Sequence, residues 1–220
     1  MTSYSIYNIT HNNFDNYENK NLFETEFYLN KKSNYKLDEI DEEFTLYEVK
    51  IKKIIKDNIF IELNGEIKNI SIYTKIFKLD LIAFNSYLFV KGSYESRELF
   101  DKYLKEIKNI IPAKKCSINL KNILDSFSEF KTLSLKDYSA RINKLKATGE
   151  LEKNDDDIQE FLEKGGLITA ITIPYPCGKE EINVHIKDDC SLRLNNCEEI
   201  ATIEEEAKFI YNLIQELISA

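Results

Sequence analysis

The sequence predicts an α+β protein in two parts. An antiparallel β-rich unit, a curled sheet or OB-like barrel, spans 1–112 and is closed by a helix at 94–111. A second α+β unit spans 113–220, with winged-helix-like helices, a hairpin at 167–187 and a terminal amphipathic helix at 202–219. Three observations carry this. Residues 44–91 alternate apolar and polar side chains at period two, the spacing of a half-buried strand. Residues 94–111 and 202–219 repeat their apolar side chains every three or four positions, the spacing of an amphipathic helix. "FLEKGGLITAITIPYPCGKEEINVHI", 161–186, runs from a helix end through a Gly-Gly break into two β-rich segments.

In the first part, residues 1–43 are weakly patterned. "NLFETEFYLN" alternates at Leu22, Phe23, Phe27 and Leu29 and reads as a strand after a polar loop. "FTLYEVKIKKII" alternates through Leu46, Val49 and Ile51. "NIFIELNGEIKNISIY" places two alternating runs on either side of Asn64-Gly65. That pair suits a type I′ turn because both central residues need positive φ. Ile59, Ile61 and Leu63 then meet Ile70 and Ile72 across the hairpin. "DLIAFNSYLFVKG" adds a strand centred on Tyr87–Val90. Ser93 is placed to cap a helix whose Leu99, Phe100, Tyr103, Leu104, Ile107 and Ile110 share one face. Arg97, Glu98, Asp101, Lys102, Lys105, Glu106 and Lys108 form its solvated side. Pro112 ends it and marks the boundary between the parts.

The second part begins with helices. "NLKNILDSF" is a short one. "SLKDYSARINKLK" is another, capped by Ser134, with Leu135, Tyr138, Ile142 and Leu145 inward. "NDDDIQEFLEK" is a third, with Asn154 as cap, acids in the first turn and Gly165-Gly166 as the stop. "LITAITI" and "EINVHI" form the hairpin, and "SLRL" is a further short strand. Thr202 and Glu205 make a capping box for the final helix, whose Ile203, Ala207, Ile210, Ile214 and Leu217 require a packing partner: one of the two units, or another copy of the chain.

Composition excludes more functions than it selects. No run of about 18 apolar residues occurs, so no membrane span or membrane partner is expected. The N-terminal segment lacks a basic start followed by an apolar stretch, which points to the cytoplasm. Cys116, Cys177, Cys190 and Cys197 form no C-x-x-C pair and are expected as free thiols. A zinc site of Cys177, Cys190, Cys197 and His185 has the ligand types but not the spacing. No phosphate-cradling Gly-rich loop and no G-x-S-x-G occur, and His11 and His185 are the only histidines. No cofactor is therefore expected. The net charge of −8 does not favour a polyanion partner. As a recognition helix, 155–164 would show Asp155, Asp156, Asp157, Glu160 and Glu163 to phosphates, so the standard winged-helix role is excluded.

The leading expectation is a non-enzymatic protein-interaction or adaptor protein, with self-association through the C-terminal helix as a further expectation. A nucleic-acid-binding regulator is the first alternative. It would use the basic helix 131–146, where Lys131, Lys136, Arg141, Lys144 and Lys146 oppose Asp137 alone; a solvated helix face explains the same residues. The second alternative is a metal-dependent enzyme using Asp155–Asp157 or Asp188–Asp189. Those carboxylates also suit a helix start and a turn.

Overall fold

The computed structural model describes residues 1–22, 25–136, 145–152, 155–195 and 200–219. Its strands are β1 (Thr2–Asn8), β2 (Tyr17–Leu22), β3 (Thr25–Leu37), β4 (Glu42–Leu63), β5 (Glu66–Ala83), β6 (Tyr87–Lys91), β7 (Lys114–Lys115), β8 (Glu129–Lys136), β9 (Leu145–Glu152), β10 (Leu167–Cys177), β11 (Glu180–Lys187) and β12 (Ser191–Leu194). Its helices are α1 (Tyr94–Leu104), α2 (Leu120–Ser126), α3 (Asp156–Glu163) and α4 (Ile203–Ser219). All twelve strands join one antiparallel sheet in the order β2-β3-β4-β5-β6-β1-β12-β11-β10-β8-β9, with β7 also on β1.

The chain is mostly β, at 54% strand and 21% helix, and this corrects the expected α+β class. Neither an OB-like barrel nor a winged helix is present among the described residues. The hairpin β10–β11 does form, but β10 continues onto β8 and β11 onto β12. A wing needs a free edge, and here both edges are taken. The sheet also runs across position 112: β1, from the start of the chain, pairs β6 on one side and β12 on the other.

Burial on both faces of the central strands makes three layers. Tyr4 and Ile6 of β1, Ile82 of β5 and Phe89 of β6 face a core shared with α2 and α4. Their neighbours Tyr7, Leu81, Leu88 and Val90 face the opposite core, under α1. Side chains alternate across a strand, so a strand covered on both sides must be apolar at successive positions. "LIAF", 81–84, is such a run, and all four residues are fully buried. Each large side chain buried this way contributes roughly 1.5–3 kcal/mol.

The described ends of the expected helix 134–146 are strand, and 137–144 lie outside the described residues. Residues 129–136 and 145–152 are the paired strands β8 and β9, with Ser134 opposite Lys146. Leu133 and Leu135 are buried against Ile171 and Ile168. Leu135 and Leu145, which helical spacing would stack on one face, pair across the two strands. Strand pairing onto β10 outweighs local helical spacing. Tyr138 and Ile142 lie outside the described residues.

Several local expectations hold. Asn64 and Gly65 take φ of +54° and +80°, as a type I′ turn needs. Ser93 caps α1, accepting from the Ser96 amide. In α4, Glu205 accepts from the Thr202 amide at 2.8 Å, and Thr202 Oγ1 accepts from the Glu205 amide at 3.2 Å. Helix α3 ends on Gly165 and Gly166, whose amides donate to Leu162 and Phe161 carbonyls. A Cβ on Gly166 would lie 1.8 Å from the Phe161 ring, so the turn also needs close approach. The cap of α3 is Asp155; Asn154 lies outside the described residues.

Arg97 departs from its expected solvated face. It is 6% exposed and donates to the Tyr4 carbonyl at 2.7 Å and to Ser5 Oγ at 3.0 Å. Long-range packing of α1 on β1 places it there. The α4 apolar face is buried in its own chain, with Ala207, Ile210, Leu213 and Ile214 fully covered.

Candidate functional site

The most exposed apolar surface is the outer part of the β4–β5 ribbon. Ile54, Ile72 and Ile76 are 43%, 62% and 54% exposed, and Phe60 and Ile67 near the turn are 71% and 75% exposed. Register decides which of them share a face. Lys52 pairs Ile76, Ile54 pairs Thr74, Lys56 pairs Ile72, Ile59 pairs Ile70 and Ile61 pairs Lys68, all turned away from α1. A bulge between Lys56 and Ile59 keeps the two stretches on that face. Phe60 and Ile67 lie on the other side, opposite Asn69 and Glu62. The outcome is a two-stranded ribbon with isoleucine and lysine on one face and an apolar tip.

Its charge differs from that of the chain. Residues 50–78 carry seven lysines against Asp57, Glu62 and Glu66, a net of +4 within a chain of −8. Lys50, Lys52 and Lys75 pair with Glu48, Glu26 and Glu95 from outside this stretch, at 3.2, 3.0 and 2.7 Å, so most of the excess is matched toward the base of the ribbon. Further out, Lys56 and Lys68 stand on the isoleucine face, opposite Ile72 and Ile61.

A second surface lies on the sheet beyond α1. One row runs Ser3, Arg193, His185, Thr172, Thr132, Thr148 across β1, β12, β11, β10, β8 and β9. Beside it, Ser5 pairs Ser191 on β1 and β12, and Lys187, Ala170, Ser134 and Lys146 line up across β11, β10, β8 and β9. His185 Nδ1 and Thr172 Oγ1 are 2.9 Å apart, and Thr172 Oγ1 is 2.5 Å from Thr132 Oγ1. Burial lowers the His185 pKa, and Arg193, Lys187 and Lys146 lower it further. The ring is therefore neutral at pH 7 and serves as a hydrogen-bonding member of this row.

Of the five basic residues predicted as a surface, Lys146 joins this face. Lys136 is on β8 two residues beyond Ser134, and Lys131 sits at the bulge between Phe130 and Thr132. Arg141 and Lys144 lie outside the described residues. The described parts of the expected basic helix 131–146, residues 131–136 and 145–146, are strands.

A cleft of about 590 Å³ opens beside the end of α1, lined by Tyr7, Asp101, Leu104, Lys105, Lys108, Ala113 and Lys115. Tyr7 donates to Asp101, and Lys115 lies 3.3 Å from the same carboxylate. Burial raises the Tyr7 pKa, and Asp101 raises it further, so the phenol stays protonated.

In the acidic clusters Asp155–Asp157 and Asp188–Asp189, two carboxylates accept from nearby backbone amides. Asp155 Oδ1 accepts from the Asp157 amide and Asp189 Oδ1 from the Ser191 amide. No metal-ligating cluster occurs among the described residues. Cys177 is disulfide-bonded, against the expectation of free thiols, while Cys116 and Cys190 are free. No described helix is long and apolar enough to cross a membrane. No protein-family model and no curated protein matches the chain.

The hairpin at 167–187 was legible in the sequence, but the Thr172–His185 pairing needs its register. The exposure of the ribbon was not legible: alternation sets Ile59 and Ile61 across from Ile70 and Ile72 without saying whether that face is covered.

Proposed function

We propose that this is a non-enzymatic interaction protein that docks through the outer β4–β5 ribbon onto an acidic protein surface with an apolar centre. The observation that supports it most is the row of exposed Ile54, Ile72 and Ile76 on one face of the ribbon, beside Lys52 and Lys56, with exposed Phe60 and Ile67 on the reverse side near the turn. Large contiguous exposed apolar patches mark interaction sites. Lysines around such a patch select acidic partners and repel basic ones. The α4 helix, first expected to mediate self-association, has its apolar face occupied within the chain and contributes nothing to this reading.

A photo-crosslinking amino acid at Ile72 tests the proposal in the native host, with the same group at exposed Lys121 on α2 as reference. Position 72 should give a discrete adduct, attached to an acidic and apolar segment of one partner, that position 121 does not. Ile54→Thr/Ile72→Thr/Ile76→Thr, probed from Phe60, should lose at least ten-fold of that adduct. Equal capture from positions 72 and 121, or capture untouched by the triple substitution, would refute the reading.

A further inference from the structure

Ile6 on β1 has an unusual pair of neighbours. Ser5 pairs Ser191 of β12, and Tyr7 pairs Lys115 of β7. Between them, the Ile6 amide donates to the Cys190 carbonyl and the Cys116 amide donates to the Ile6 carbonyl, both at 3.1 Å. The amide and carbonyl of one strand residue leave the same edge of the strand. Cys116 and Cys190 therefore stand on one edge of β1, where the end of β7 abuts the start of β12. They divide between them the two bonds that a single opposite residue would make.

Side chains opposite each other on paired strands share a face. Ile6, Cys116 and Cys190 accordingly enter the same core, the one closed by α2 and α4. Each thiol is close enough to shift the other's pKa, Cys116 downward and Cys190 upward. Cys116 Sγ also lies 3.0 Å from Asn8 Oδ1. Cys190 holds φ of +57°, a left-handed conformation that glycine or asparagine adopts at lower cost. It closes the turn in which its amide donates to Lys187 O.

We propose that Cys116 and Cys190 form a disulfide, additional to that of Cys177, which locks β7 to the β11–β12 turn along β1. The bond joins positions 74 residues apart and fastens the strand that connects the two halves of the sheet. In the reaction, one cysteine thiolate attacks oxidised glutathione, forming a mixed disulfide and releasing one reduced glutathione. The second cysteine attacks that mixed disulfide and releases the other. Two protein thiols lose two protons and two electrons, and one glutathione disulfide becomes two thiols.

The test is to reduce and unfold the full chain, refold it in a buffer of oxidised and reduced glutathione, quench with an alkylating agent and map peptides without reduction. Unfolding removes the barrier that burial places on the reagent. A peptide linking Cys116 to Cys190 should hold more than half of both cysteines, and the cross-linked protein should melt several degrees above the same protein with this bond open. Cys116→Ala and Cys190→Ala should each abolish the linked peptide and leave the other cysteine alkylated. A native sample kept in the same buffer guards against failure to refold. If both samples show Cys116 and Cys190 alkylated, capped by glutathione, or joined to other cysteines, the proposal is overturned.

Discussion

The β4–β5 ribbon begins inside the molecule and ends outside it, with similar side chains at both ends. At its base, Tyr47, Val49 and Ile51 lie opposite Leu81, Leu79 and Phe77, under α1, and are buried. The outer part offers Ile54, Ile72, Ile76, Phe60 and Ile67 to solvent. Both ends satisfy the same backbone ladder, and both are rich in β-branched and aromatic residues. The difference lies in what is laid across them. β-propensity is fit to a pleated surface, and it does not say whether that surface is covered.

Three variants sharpen the comparison. The largest effect is expected where the sheet is covered on both faces. Phe89→Ala on β6 should cost about 3–5 kcal/mol, read from the urea midpoint, because the cavity between the central strands and α4 cannot collapse onto a mobile neighbour. A loss below about 1 kcal/mol would mean that the central strands are no better packed than the ribbon. On the ribbon, the same Ile54→Thr/Ile72→Thr/Ile76→Thr protein should stay within about 0.5 kcal/mol of the parent per site, since exposed positions contribute little to stability. A larger loss would show that the outer ribbon is part of the fold.

The smallest effect concerns His185. Its folded pKa lies below the ordinary 6.5, so the unfolded chain binds the proton first as pH falls. This contribution to stability is present above pH 6.5 and is lost as pH drops through the window beneath it. His185→Gln should flatten that part of the stability–pH curve. An unchanged slope between pH 6.5 and 5 would remove the histidine from the electrostatics of the face.

Turn and cap chemistry was largely legible in the sequence because it is local. Asn64-Gly65, Ser93, the Thr202–Glu205 box and Gly165-Gly166 each bind or strain residues within a few positions of themselves. Element type was less legible where two periods fit the same residues. Leu135, Tyr138, Ile142 and Leu145 satisfy a helical repeat, yet Leu133 and Leu135 also alternate, and β10 supplied the ladder that chose the strand. The free-thiol expectation leaned on a cytosolic setting, and the bond at Cys177 departs from it. The Cys116–Cys190 contact was hidden because it needs β1, more than a hundred residues from Cys116, to bring β7 and β12 into line.

By itself, then, the sequence determined the turn at Asn64-Gly65, the Ser93 cap of α1, the stop at Gly165-Gly166 and the capping box of α4, although it carried α1 on to 111 where the helix ends at Leu104. Those features rest on contacts between near neighbours, which any fold would have to honour. Only the tertiary structure decided that both halves share one sheet, that Arg97 is buried, and that the outer isoleucines face solvent. Such outcomes depend on which distant segments compete for the same edge or face, and no local pattern records the winner.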